Sequence, residues 1–352
     1  MKMLENAKIR LSLFLVTGFS VLLTGVLLMS CGAGPQVKTE IDNAGAYAVD
    51  FSPVLRDANQ DGNVEYRKKY YAVLSNSIPS LASREFTIEV QVKKLRMLDP
   101  SDPLGVAVIS LTGNIFSRYG HADDTGAFIN FAADIPTFTI TNDTDDATST
   151  ANGSTNSGTA VLYNAWNHIA GVFVYEDHTS VHGTTAVCTA AVRAQRPHID
   201  IYINGSFSNC GTVGSVFTDH FAYGEQIGDF RSKFTAGNPF NIPAVIDEVR
   251  FWKVARTASQ IRECYDNELG VSGSSCIITS DLIGYWRLNE GTGSSVHDFS
   301  GGGNAGTKYY CVTQDTNDDG DVTDVGSIAD CEATAAPVTN TWDAGWVTGY
   351  QF

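Results

Sequence analysis

Basic residues are scarce in this chain: 23 Lys and Arg stand against 39 Asp and Glu, a formal net charge of −16 over 352 residues. A surface of that sign repels phosphate backbones and anionic headgroups, which excludes nucleic acid and acidic lipid as partners. It suits calcium, which prefers carboxylate oxygens, and it also fits plain solubility outside the cell. Helical periodicity is nearly absent, being confined to one short segment after residue 256. No C-x-x-C occurs, so zinc and thioredoxin-like readings lack support. G-x-S-x-G is missing as well.

Long apolar runs are missing too, except over residues 11–29. Lys2, Lys8 and Arg10 precede that run, the layout of a secretory signal. It ends in Leu28-Met29-Ser30-Cys31, which resembles a bacterial lipobox. The resemblance implies a signal peptide over residues 1–30, a lipidated Cys31 and a tether over residues 31–43. Gly32 stands where inner-membrane retention favours aspartate, so the implied location is the outer membrane or cell surface, with membrane contact through the lipid anchor only. An uncleaved membrane-spanning anchor is the other reading of the same run. Both readings export the remainder. Removing residues 1–30 takes away Lys2, Lys8, Arg10 and Glu5 and leaves a net charge of −18.

Six cysteines then remain: Cys188, Cys210, Cys264, Cys276, Cys311 and Cys331. An even number in an oxidising compartment reads as disulfides, and six cysteines allow about fifteen connectivities. The expected set is sequential, 188–210, 264–276 and 311–331, because each neighbouring pair brackets one short loop or hairpin.

Strand signals recur along the body. Phe86, Ile88, Val90 and Val92 alternate with Thr87, Glu89, Gln91 and Lys93, the pattern of a half-buried strand. Residues 106–111 and 127–131 are short apolar runs, and 166–175 reads as a longer strand. Ile199, Ile201 and Ile203 lead into Asn204-Gly205, a strong hairpin-turn signal. Further on, Val245, Asp247, Val249 and Phe251 share one strand face by alternation, and Ile246, Glu248, Arg250 and Trp252 share the other. Thr257 and Gln260 form a T-x-x-Q capping box, and Gly270 is placed to end the helix. Many short strands with one helix give an all-β sandwich or barrel.

The segments AYAVDF, EFTIEVQV, WNHIAGVFV, IDIYINGS and AVIDEVRFWKVARTASQI occur in the order of the core strands of laminin-G-like and pentraxin-like modules. The chain resembles that concanavalin A-type lectin superfamily over most of residues 44–290. The resemblance implies a concanavalin A-like jelly roll, a single domain over residues 44–352 with insertions at 55–72, 141–159 and 308–340. GYWRLNEGTG is similar to a segment that leads into such modules; here it comes last, so it is expected to pack back on the same sandwich. Residues 141–159, polar and low in complexity, read as a mobile surface loop.

Two insertions carry one spacing of oxygen ligands. Asp57, Asn59 and Asp61 precede Gly62-Asn63-Val64, and Asp315, Asn317 and Asp319 precede Gly320-Asp321-Val322. This string resembles the calcium loop of EF-hand, dockerin and thrombospondin-repeat proteins. Alternate side chains converge on one ion, glycine permits the sharp turn, and the next carbonyl adds an oxygen. Lys68 and Gly326 stand where the twelfth-position acid belongs. A solvated Asp/Asn turn is the alternative reading. Pentraxin-like relatives hold calcium elsewhere, and that resemblance points to Asp123, Asp124 and Asp229. Asp247, set among apolar neighbours on its strand face, needs either a metal or backbone amides.

Nothing matches the E-x-D-x-x-E strand of laminarinase-type glucanases, and alternation puts Glu248 on the face opposite Asp247. Tyr66, Tyr70 and Tyr71 flank the first acidic string, and Tyr309 and Tyr310 precede the second. Flat rings suit sugar faces or protein anchors, or they cover the insertions' own small cores. The residues therefore lead to a non-catalytic, surface-anchored, calcium-stabilised module that binds a glycan or a surface protein. A structural subunit of a surface layer or appendage is the second reading, and a glycan hydrolase the third.

Overall fold

A computed structural model describes residues 48–51, 54–56, 66–74, 85–98, 104, 107–108, 110–111, 113–119, 126–141, 151–175, 198–213, 226–228, 243–270, 276–314, 336–337 and 346–347. Their strands, numbered in chain order, form two antiparallel sheets. The first runs β11 (Ser206–Thr212), β10 (His198–Ile203), β9 (Trp166–Val174), β4 (Phe86–Lys94), β13 (Ala244–Trp252), β1 (Ala48–Asp50), β18 (Trp346–Val347), with β14 (Leu282–Trp286) also on β13. The second runs β15 (Ser295–Val296), β16 (Gly306–Gln314), β3 (Tyr66–Leu74), β12 (Gln226–Ile227), β5 (Gly113–Tyr119), β6 (Gly126–Ala132), β7 (Ile135–Thr141), β8 (Ala151–Asn156). Here β17 (Ala336–Pro337) joins β16 and β2 (Val54–Arg56) joins β3. This is the expected all-β jelly-roll sandwich, with one short helix among the described residues.

Period-two patterning explains the core. Phe86, Ile88, Val90 and Val92 of β4 meet Ile115 and Phe116 of β5, Ile129 of β6, and Phe138 and Ile140 of β7 in one buried cluster. Its aromatic centre is Phe86, whose ring lies edge-on to Phe138 at 6.3 Å and to Phe251 at 5.9 Å. One end of the sandwich is pinned by Lys94, whose Nζ bridges Asp134 Oδ2 in the β6–β7 turn at 2.9 Å and lies 3.4 Å from the centre of the Tyr163 ring.

Several expectations change in detail. Among the described residues of 106–111, Val108 bridges Leu98, and Leu111 donates its N–H to Asp134 Oδ1 in the β6–β7 turn while accepting the Asp134 N–H; the strand begins at Gly113. The supposed insertion 55–72 holds β2 and most of β3, and 308–340 holds most of β16; these pair over nine residues. Within 141–159 the second half is ordered as β8 on the edge of β7, and Ser208 and Asn209 donate to the carbonyls of Ser157 and Asn156. The closing GYWRL segment does pack back: β14 pairs with β13, and Trp286, Leu288 and Val296 enter the main core.

The helix, α1 (Ala258–Cys264), carries the expected capping box at Thr257 and Gln260. It ends at Tyr265 and not near Gly270, and the carbonyls of Cys264, Tyr265 and Asn267 accept side-chain bonds. Gly270, at φ 80°, instead turns the chain so that its N–H meets the Cys276 carbonyl. Cys264 and Cys276 are joined by a disulfide.

Gly171, in β9, marks a close approach of the two sheets: a Cβ there would stand 2.3 Å from Cδ2 of Phe138. Gly171→Ala is expected to cost about 1–3 kcal/mol by overpacking, read from the urea midpoint. An unchanged midpoint would mean the Phe138 ring does not lie against this backbone.

Candidate functional site

The residues that depart most from ordinary strand chemistry are buried charges on the face of the first sheet away from the core. Strand β4 is covered on both sides: Thr87, Glu89 and Gln91 are as buried as the apolar residues between them. They lie under a cap made of residues 253–270 and 276–281, which includes α1. Arg256, just before the helix, pairs through Nη1 with Glu89 Oε1, and its N–H donates to Thr87 Oγ1 at 2.9 Å. Gln91 Nε2 donates to the Tyr265 carbonyl. Arg250 donates to the carbonyls of Cys264 and Asn267, each at 2.8 Å, and pairs with Glu248 at 3.0 Å and Glu89 at 3.6 Å. Tyr285 Oη donates to Glu248 Oε2 at 2.6 Å, and His168 Nε2 lies 3.3 Å from Glu89 Oε2.

A bulge makes this possible. On β13, Asp247 pairs with Gln91 and Arg250 with Glu89, so one extra residue is accommodated between them, with Glu248 at φ 49°. The alternation therefore changes phase. Ala244 and Ile246 face the core before the bulge, and Val249 and Phe251 after it. The expectation that Asp247 shares a face with Val249 and Phe251 is thus wrong: it stands opposite Gln91, and its Oδ1 accepts the N–H of Glu248 at 2.9 Å. Backbone amide, not an apolar wall, meets this carboxylate. Nor do Asp247 and Glu248 fall on opposite faces, because Glu248 reaches the Arg250 and Tyr285 groups of the same outer side. The bulge also divides the edge of β13, where β1 pairs with the first half and β14 with the second.

The electrostatics follow from geometry. Burial alone would raise the Glu89 carboxyl, but Arg256, the His168 hydrogen bond and Arg250 hold it far below the usual carboxylate range. Burial would lower Arg250, yet Glu248, Tyr285 and Glu89 raise it overall. Tyr285 is raised by burial and by Glu248. Every charge in this cluster is taken by another protein group, which is the behaviour of a structural clamp. A second polar group lies on the β15–β16 hairpin. Burial brings the Lys308 ammonium down to about 7, opposed by Glu290, whose Oε1 accepts the His297 N–H at 2.7 Å.

Of the sequence-derived site residues, Cys31, Asp57, Asn59, Asp61, Asn63, Asp123, Asp124, Cys188, Asp229, Asp315, Asn317, Asp319, Asp321 and Cys331 lie outside the described residues. Among the described residues no cluster of three His, Cys, Asp or Glu is placed to hold a metal. Cys210 is disulfide-bonded, while Cys311 sits within β16. The tyrosine pairs are brought together: Tyr70 is the register partner of Tyr310, and Tyr71 of Tyr309. The last pair of that ladder is Tyr66 with Gln314, so both acidic strings leave from the same end of one strand pair. Glu89, His168 and Arg256 were not singled out by sequence. The available signal was a run of polar residues alternating along two strands that the bulge brings into phase.

No protein-family model matches the sequence, and no curated protein does. Solved structures overlap partially. A protein from Bacteroides ovatus assigned as carbohydrate-binding is 14% identical with a TM-score of 0.43, over 76% of this chain and 60% of that one. The binding domain of Paraclostridial Mosquitocidal Protein 1 is 11% identical with a TM-score of 0.37, over 62% of this chain and 47% of that one. A heptameric SAP-like pentraxin from Limulus polyphemus is 12% identical with a TM-score of 0.32, over 62% of this chain and 82% of that one.

Arg250→Met should leave Glu89 and Glu248 buried with too few partners and cost about 3–5 kcal/mol in thermal or urea unfolding. Tyr285→Phe, which removes one bond to a carboxylate, should cost about 1.5–3 kcal/mol. Near-neutral values for both would show that the network is open to water.

Proposed function

We propose that this chain is a non-catalytic binding module, held at the cell surface by lipid on Cys31, that recognises a glycan or a surface protein. The observation that carries this reading is the register of β3 on β16, which sets Tyr70 against Tyr310 and Tyr71 against Tyr309 at neighbouring positions of one ladder. Aromatic residues grouped on a rigid sheet are suited to stacking on sugar faces or anchoring a protein partner. The buried carboxylates support the non-catalytic part. Glu89 and Glu248 are occupied by arginine and tyrosine, which leaves neither as a free acid or base for glycoside cleavage.

Calcium belongs to the same proposal. The strings at Asp57–Asn59–Asp61–Asn63 and Asp315–Asn317–Asp319–Asp321 adjoin the Tyr66–Gln314 end of the tyrosine ladder. Ion binding there would order the edge that presents the rings. Without a twelfth-position acid the affinity belongs to the weak extracellular range, about 0.1–1 mM. Asp123, Asp124 and Asp229 are the alternative ligands.

A glycan array probed with and without chelator tests the reading. Binding that calcium restores and Tyr70→Ala or Tyr310→Ala weakens at least about tenfold is expected for hot-spot rings. Chelator-insensitive silence on glycans and on surface-protein extracts would favour the structural-subunit reading. Millimolar calcium should also raise the melting temperature by mass action, and Asp61→Ala and Asp319→Ala should each remove part of that gain. If neither variant changes the response, the acidic strings are plain turns. Cys31→Ala should release the protein from the membrane fraction; retention with residues 1–30 intact would favour a spanning anchor.

A further inference from the structure

We propose that the cap over the first sheet is an acid-releasable unit, with His168 as its latch. This imidazole sits on β9 beneath the cap, 2% exposed, with its ring edge-on to Tyr265 at 6.3 Å. Nε2 lies 3.3 Å from Glu89 Oε2, so in the neutral ring Nε2 carries the proton and donates to the carboxylate. Nδ1 is buried and has no hydrogen-bond partner among the described residues. A second proton must go to Nδ1, where the new N–H meets no acceptor.

The surrounding charges sharpen the penalty. Facing His168 are Glu89 from β4, Arg250 from β13 with Glu248 behind it, and Arg256 from the cap. Tyr265 of the cap and Tyr285 of β14 also face this cluster, Asp247 of β13 lies on the same outer side across Gln91, and Asn204 after β10 accepts the backbone N–H of His168 at 2.8 Å. A charged imidazole would stand beside two guanidiniums already committed to Glu89 and Glu248. Burial lowers the His168 pKa below its ordinary value, Arg250 and Arg256 add to this, and Glu89 offsets only part. The opened state, in which His168 meets water, therefore binds more protons than the closed one. The closed cap is fully favoured above about pH 6.5 and loses stability as the pH falls below it.

Acid should act on the cap before the sandwich. The Arg256–Glu89 pair, the Gln91–Tyr265 bond and the two Arg250 bonds to cap carbonyls converge on this cluster. The packed core between the sheets lies on the other face of β9 and contains none of these groups. Because Cys264–Cys276 closes the cap on itself, release would be a swinging away of an intact unit.

Backbone hydrogen exchange of the full chain in detergent, between pH 7.5 and 5.0 and corrected for intrinsic rates, tests this. Protection of residues 258–267 should fall by up to about tenfold per pH unit below about pH 6.5, while β6 and β7 keep theirs. His168→Gln retains a donor toward Glu89 and takes no charge, so its cap protection should change less than twofold, roughly the scatter of a single-site effect. An equal fall in the variant, or a fall spread over β6 and β7, overturns the proposal. Should the variant fail to fold, NMR titration of His168 in the unaltered chain decides: an imidazole already charged at about pH 6.5 with the cap closed also overturns it.

Discussion

A carboxylate out of reach of water governs the outer face of this sandwich. Glu89 lies in the middle of the sheet, fully buried, and an isolated charge there would cost several kcal/mol. Its partners are therefore obligatory. Arg256 must sit beside it, which fixes where the chain enters α1, and Arg250 must point to the same side, which requires the bulge at Glu248. The remaining Arg250 donors take the carbonyls of Cys264 and Asn267, and Gln91 takes that of Tyr265. The buried side chains satisfy carbonyls at the end of the short helix. One buried charge thus links the sheet register, the bulge and the entry to the helix.

The strand pattern made much of the fold legible, because apolar alternation and the Asn204-Gly205 turn are local signals. Phe86–Lys94, Trp166–Val174 and His198–Ile203 fall close to where periodicity puts them. Tyr66–Leu74 was hidden because its partner strand Gly306–Gln314 lies far along the chain, and Ala151–Asn156 because its polar sequence carries no apolar alternation. The bulge was illegible for a different reason. An extra residue inside a strand leaves no compositional mark when Asp, Glu, Val and Arg all tolerate extended backbone, and only the partner strand reveals the change of phase. The polar face of β4 likewise reads as solvent-facing until the cap is in place.

Structural and recognition roles separate spatially. Glu89, Glu248, Arg250 and Arg256 are committed to holding the cap, and Lys94 with Asp134 to closing one end of the sandwich. Recognition, in the proposed reading, falls to the β3–β16 ladder of the other sheet.

The most direct test of the central claim is a double-mutant cycle on Glu89 and Arg256, with Glu89→Gln, Arg256→Met and the pair compared by urea unfolding. If the buried network organises the cap, the coupling energy should exceed about 1.5 kcal/mol, because each single change strands the other charge while the double change does not. Additive losses, with coupling below about 0.5 kcal/mol, would mean that the cap is held by its apolar contacts and that the charges merely accompany it.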